Sequence, residues 1–156
     1  MGSNLLGDVK RALQTADHML YVTYPVLKDN RLLIKVLEEI YYAVEKTIEF
    51  IIDIESRAGR ISISSDTKIN LSIFETICTG RWGFSNKEIM GIKQIIRIFN
   101  KHKASSTEFS RPNKFVILSD SLQTEIVTVL MLKSFLGTAK DFLRKAEIHS
   151  DLNKHA

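Results

Sequence analysis

The chain has a single cysteine, Cys78, in 156 residues. An intrachain disulfide is therefore excluded, as is any zinc site built on two or more thiolates, and nothing asks for an oxidising compartment. Cys78 ends the apolar-patterned stretch Ile73-Phe74-Glu75-Thr76-Ile77-Cys78 and reads as a buried, inert thiol. There are two prolines and seven glycines, too little punctuation for a many-turned β sandwich but compatible with long helices. Long hydrophobic runs are missing as well. The longest, Ile126 to Leu132, is interrupted by Thr128, well short of the roughly 18 apolar residues that a membrane span needs. Asp8, Lys10 and Arg11 stand where a secretory signal would carry its apolar core. The expectations are no membrane partner and a cytoplasmic location. Familiar catalytic signatures are also absent: there is no GxxxxGK phosphate loop, GxGxxG, GxSxG elbow or HExxH pair. No cofactor and no metal are expected.

The hydrophobic share of 44% and the charged share of 26% are ordinary for a globular chain, and the length suits one domain. Apolar residues at threes and fours (Leu5, Leu6, Val9, Leu13, Ala16, Leu20) predict a first helix from a Ser3 cap to about Val22, stopped by Tyr24-Pro25. Asp29 then caps a long second helix to about Glu55. Leu33, Val36, Leu37, Ile40, Val44, Ile48 and Ile51 lie on its buried face, and Glu38, Glu39, Glu45, Glu49, Asp53 and Glu55 form an acidic, solvated one. Residues 60–64 alternate polar and apolar, as a small strand or a loop. A third helix covers Lys68 to about Cys78, after which Trp82 and Phe84 clamp a glycine-bearing loop onto the core. Ser85 and Glu88 have the spacing of a capping box and open a fourth helix that ends near His102. Residues 103–113 are polar. Phe115-Val116-Ile117-Leu118 is β-like but too short to demand a sheet, and Ser119 or Asp120 caps a last helix to about Ile148. The expected fold is all-α: an antiparallel bundle of four to five helices with at most a minor β-like segment. It forms one domain over residues 1–149, followed by a frayed tail over 150–156.

The net charge of +4 is mild, but it is not evenly spread. Between Lys87 and Lys114 there are seven cations (Lys87, Lys93, Arg97, Lys101, Lys103, Arg111 and Lys114) against Glu88 and Glu108, a surplus larger than that of the whole chain. Lys93, Arg97 and Lys101 are spaced by four and share a helix face, a stripe able to follow a phosphate backbone. An ordinary solvated helix face would have the same pattern. His102 follows among cations at the helix end, and Glu108 and Arg111 flank Phe109 closely enough for local pairing.

The run Arg97-Ile98-Phe99-Asn100-Lys101-His102 has the form R-x4-H. On a helix of a small bundle, this resembles the HEPN superfamily, whose ribonuclease members carry R-x4-6-H and typically dimerise so that two motifs line one cleft. The resemblance implies a metal-independent endoribonuclease in which His102 is general acid or base and Arg97 stabilises charge on the scissile phosphate. That family usually has a polar residue, often Asn, directly after the Arg. Here Ile98 holds that position and Asn100, two further on, is the supporting candidate, with Glu108 beside it. The RNA-binding candidates are Lys93, Lys101, Lys103, Arg111 and Lys114. A broader likeness links Asp17-His18-Met19-Leu20-Tyr21-Val22-Thr23-Tyr24-Pro25, Lys28-Asp29-Asn30-Arg31-Leu32-Leu33, Lys101-His102-Lys103-Ala104-Ser105, Glu108-Phe109-Ser110-Arg111 and Val116-Ile117-Leu118-Ser119-Asp120 to a group of small archaeal helical proteins of unassigned function. It implies an archaeal origin and one intact domain, and no activity.

Two readings of function follow. One is an RNA-binding protein, cutting RNA as a homodimer. The other is a non-enzymatic helical module that docks a protein through its dimer face or its acidic second helix, with binding indifferent to His102.

Overall fold

The computed structural model describes residues 2–154, and the backbone alone for Ser3, Cys78 and residues 152–154. The Ser3 cap, the Cys78 thiol and His155 therefore fall outside the described residues. Helix α1 (Gly2–His18) runs without a break through a π-helical turn (Met19–Thr23) into α2 (Tyr24–Leu27). Pro25 does not stop this helix near Val22. The proline sits in the first turn of α2, where its missing amide costs little, and the Tyr24 amide donates to the Met19 carbonyl across the widened turn. The rod ends where Lys28 adopts a left-handed φ of 53°. Helix α3 (Arg31–Arg57) is the spine of the molecule, and α4 (Thr67–Gly80) and α5 (Asn86–Ala104) follow. Residues 60–64 form no strand. Asp66 caps α4 by accepting from the Lys68 amide, and the Ser85–Glu88 capping box on α5 is reciprocal, as its spacing predicts.

The all-α expectation fails after α5. Strands β1 (Thr107–Arg111), β2 (Lys114–Leu118) and β3 (Thr124–Thr128) form a three-stranded antiparallel meander, and only then does α6 (Val129–Lys154) begin. The helix that was to start at Ser119 or Asp120 starts ten residues or so later, because Thr124, Ile126, Val127 and Thr128 are β-branched and fit a pleated surface better than a helical turn. Ser119 instead closes the β2–β3 turn, its amide donating to the Gln123 carbonyl and its hydroxyl accepting from the Gln123 amide. Thr128 caps α6, its hydroxyl accepting from the Met131 amide. Pro112 and Asn113 (φ 62°) make the tight β1–β2 turn. Helix α6 continues past residue 149, where the tail was expected, and Ser150 is buried.

The core is continuous. Helices α1 and α6 bury their stripes on α3, with Leu33, Val36, Leu37, Ile40, Leu132 and Ala146 all sealed from solvent. From the far side α5 contributes Ile92, Ile95 and Ile98, and the sheet contributes Phe115, Ile117 and Val127. Trp82 and Phe84 do clamp their loop, both nearly fully buried. Gly91 sits where α5 approaches α6: a Cβ there would come within 3.2 Å of Thr138 Cγ2. Among the described residues, no helix is long and apolar enough to cross a membrane.

One acid departs from the solvated face assigned to it. Glu55 is fully buried, accepting from the Arg60 guanidinium at 2.6 and 3.1 Å and from the Trp82 indole N–H at 2.8 Å, with Arg81 at 3.4 Å. Burial pushes its carboxyl up, but the hydrogen bonds from Arg60 and Trp82 and the two guanidinium charges outweigh this and hold it below the usual range. His149, on α6, packs its ring 4.2 Å from that of Trp82. This cluster fixes the loops on either side of α4 to the bundle.

Candidate nucleic-acid interface

Helix α5 carries the sequence-predicted residues, and the sheet sorts them. Alternation along the strands puts Glu108, Ser110, Phe115, Ile117, Glu125 and Val127 on one face. Phe115, Ile117 and Val127 are in the core. Glu108 and Glu125 are the two cross-strand partners of Ile117. Outer strands of such a sheet lie about 10 Å apart, close to the width of a helix, so the two carboxylates reach opposite flanks of α5. Glu125 accepts from Arg97 at 3.2 and 3.4 Å and from Lys101 at 3.2 Å. The Arg97 guanidinium, and then Lys101, hold its carboxyl below the usual range against the partial burial that raises it. Glu108 takes the other flank: its Oε1 lies 2.7 Å from His102 Nδ1, whose N–H donates to it. The other ring nitrogen, Nε2, lies 4.0 Å from Glu38 of α3. Glu108 of β1 thus pairs with His102 of α5, not with Arg111, the partner that local spacing suggests.

Arg97 and His102 therefore do not meet within one chain. Five residues of helix turn a side chain by about 140°, and Ile98, fully buried, lies between them on the wheel. The His102 side chain is 12% exposed and meets the Phe99 ring edge-on, while Arg97 is half exposed on the opposite flank. Phe99 in turn stacks on Tyr41, whose phenol is pushed up to about 12 by burial and then by the Glu45 carboxylate; it is no acid or base near neutral pH. Ile98 occupies the place where the resembled family has its polar residue, and that place is core here.

Other candidates do converge. Lys93, Arg97, Asn100 and Lys101 line one open groove of about 450 Å³ beside α4, floored by Leu71 and Ile96. Lys93 faces Glu75 at 3.7 Å, so three cations in the groove are met by Glu75 and Glu125. Arg97 also borders a larger groove of about 870 Å³ between α5 and α6, reached by Lys87, Gln94, Ser134 and Thr138. Lys103 lies outside both, its ammonium 5.7 Å from the centre of the Phe99 ring. Arg111 and Lys114 are cross-strand neighbours on the outward face of the sheet, and the Arg111 guanidinium covers the Phe109 ring at 4.7 Å. Sequence reasoning misses Glu125, which compensates the stripe, because the apolar spacing around it is helical. Among the described residues no three His, Cys, Asp or Glu side chains are grouped to hold a metal ion. No protein-family model, curated protein or solved structure matches this chain.

Proposed function

We propose that this protein binds RNA through the groove on α5. The observation that carries the reading is the meeting of Lys93, Arg97, Asn100 and Lys101 on one open surface with an apolar floor. Four donors in a row along a helix suit consecutive phosphates, and the resulting affinity must fall with salt as counterions are released. The three cations exceed the two carboxylates facing them by one, so the groove is attractive but not strongly so. Binding of a fluorescein-labelled twelve-nucleotide RNA, followed by anisotropy at about 50 mM salt, tests it. The wild type binds, and the triple variant Lys93→Ala, Arg97→Ala, Lys101→Ala loses most affinity. No binding by the wild type overturns the proposal.

Cleavage is a second reading, favoured by one observation: Glu108 orients His102 through Nδ1, the arrangement by which a carboxylate steadies a catalytic imidazole. Since Arg97 and His102 occupy opposite flanks of α5, such a site pairs Arg97 of one copy with His102 of another. Arg97→Ala and His102→Ala would each abolish cleavage, and mixing the two variants would restore part of it, because each mixed dimer retains one intact pair. Failure of the mixture to recover activity that both single variants lack counts against a shared site.

A further inference from the structure

The outward face of the sheet has a composition unlike that of its inner face. It presents Thr107, Phe109 and Arg111 of β1, Lys114, Val116 and Leu118 of β2, and Thr124, Ile126 and Thr128 of β3. No carboxylate is among them. Both acids of the inner face, Glu108 and Glu125, are already engaged by α5. The register stacks Phe109, Val116 and Ile126 into one apolar row across all three strands, and the next row begins with Arg111 and Lys114. Phe109 is 37% and Ile126 45% exposed, large apolar groups that stay partly in water. The Arg111 guanidinium lies over the Phe109 ring, 4.7 Å from its centre, in a cation–π contact. Unlike the cations of the α5 groove, neither Arg111 nor Lys114 has a carboxylate partner among the described residues.

A part-exposed aromatic capped by one of two cations that have no carboxylate partner among the described residues, on a strand face without acids, is complementary to a ligand that is both anionic and flat-faced. Unpaired nucleotides have that chemistry, with phosphates for the cations and bases for the ring. A duplex does not, because its bases are stacked inside. We infer that the outward sheet face is a stacking platform for single-stranded RNA: Arg111 leaves the Phe109 ring for a flanking phosphate, a base stacks on the ring in its place, and Lys114 meets the next phosphate. This rests on the RNA-binding reading of α5 but assigns a separate surface and a strandedness that the α5 groove does not supply.

The test compares a labelled twelve-nucleotide oligouridine with a twelve-base-pair RNA duplex, by anisotropy, on wild type, Phe109→Ala, Phe109→Trp and Arg111→Ala/Lys114→Ala. Phe109→Ala weakens single-strand binding about tenfold or more and leaves duplex binding unchanged, while Phe109→Trp retains single-strand affinity. The double cation variant weakens the single strand and flattens its salt dependence. If the wild type binds RNA but Phe109→Ala binds the single strand as well as the wild type does, the platform is refuted and the α5 groove stands. If the wild type binds neither RNA, both readings fall. Sedimentation of the same proteins covers the rival occupant. A wild-type dimer that Phe109→Ala converts to monomer would show that a second copy covers this face, and would overturn the inference. Phe109 is too exposed for its truncation to unfold the chain, and a thermal melt of each variant checks this.

Discussion

Glu125 is where the electrostatics of the α5 groove can be changed with least damage. It is the common partner of Arg97 and Lys101, and its replacement by Gln preserves shape while removing one negative charge. The groove's surplus of one positive charge becomes two. The cost to folding is small, since Arg97 and Lys101 are 48% and 42% exposed and return to water; partly exposed pairs contribute at most about 1 kcal/mol. The gain for an anionic ligand is larger and readable. Each further phosphate neutralised on a single strand steepens the dependence of log K on log salt by about 0.7. Between about 50 and 200 mM salt, one added contact multiplies the loss of affinity roughly 2.5-fold and two multiply it roughly sevenfold. Glu125→Gln should therefore bind the labelled RNA more tightly than wild type at low salt and lose that advantage at high salt. Anisotropy titrations at four salt concentrations measure both slopes. Equal slopes, or weaker binding by the variant at low salt, would refute the groove as the phosphate site. Tighter binding with an unchanged slope would mean that the charge acts at a distance and that Arg97 and Lys101 touch no phosphate.

Two further expectations concern the buried cluster around Glu55. Glu55→Ala strands the Trp82 indole N–H, a loss of about 1–3 kcal/mol, and removes the charged acceptor of Arg60. Arg60 and Arg81 are 33% and 50% exposed and can rehydrate, so the total should be about 2–4 kcal/mol, at the lower edge of what breaking a buried pair costs. At this chain length that lowers Tm by roughly 5–15 °C, and calorimetry showing a change under about 2 °C would mean the cluster contributes little. The same cluster sets a pH response. Burial lowers the pKa of His149 from 6.5, with Arg81 and Arg60 adding to the effect against Glu55, and Glu55 is itself lowered from 4.5. In both cases the unfolded chain binds protons at a pH where the folded chain does not, so this stability is complete above the unfolded values and is lost as pH falls. The urea midpoint should drop between pH 7 and 5.5 through His149, and the drop should shrink in His149→Gln. A midpoint that rises over that interval, by more in wild type than in the variant, would reverse the assignment.

What the sequence makes legible is mainly local. Ser85 and Glu88 announce the start of α5 because a capping box involves only four consecutive residues, and the spacing Lys93, Arg97, Lys101 foretells one lined surface because helical periodicity is rigid. What it hides depends on partners far along the chain. Glu55 reads as one more acid on a solvated face until Arg60, Arg81 and Trp82 close over it. The sheet hides for a related reason: Leu122, Ile126 and Val129 keep helical spacing, and only pairing with β2 decides that Thr124–Thr128 is a strand.

The R-x4-H spacing looks different once that sheet is present. A helix laid along the Ile117 row meets a carboxylate on each flank, and a cation or imidazole on each flank is what binds it there. Arg97 and Lys101 answer Glu125, His102 answers Glu108, and the buried Ile98 between them fills the middle. Docking the sheet is thus a sufficient physical reason for these residue types at these positions. The docking role and the catalytic one separate experimentally: a clamp needs only a neutral donor at 102 to satisfy Glu108, whereas proton transfer needs an imidazole. His102→Asn should keep the fold under either account, and it should lose RNA cleavage only under the second.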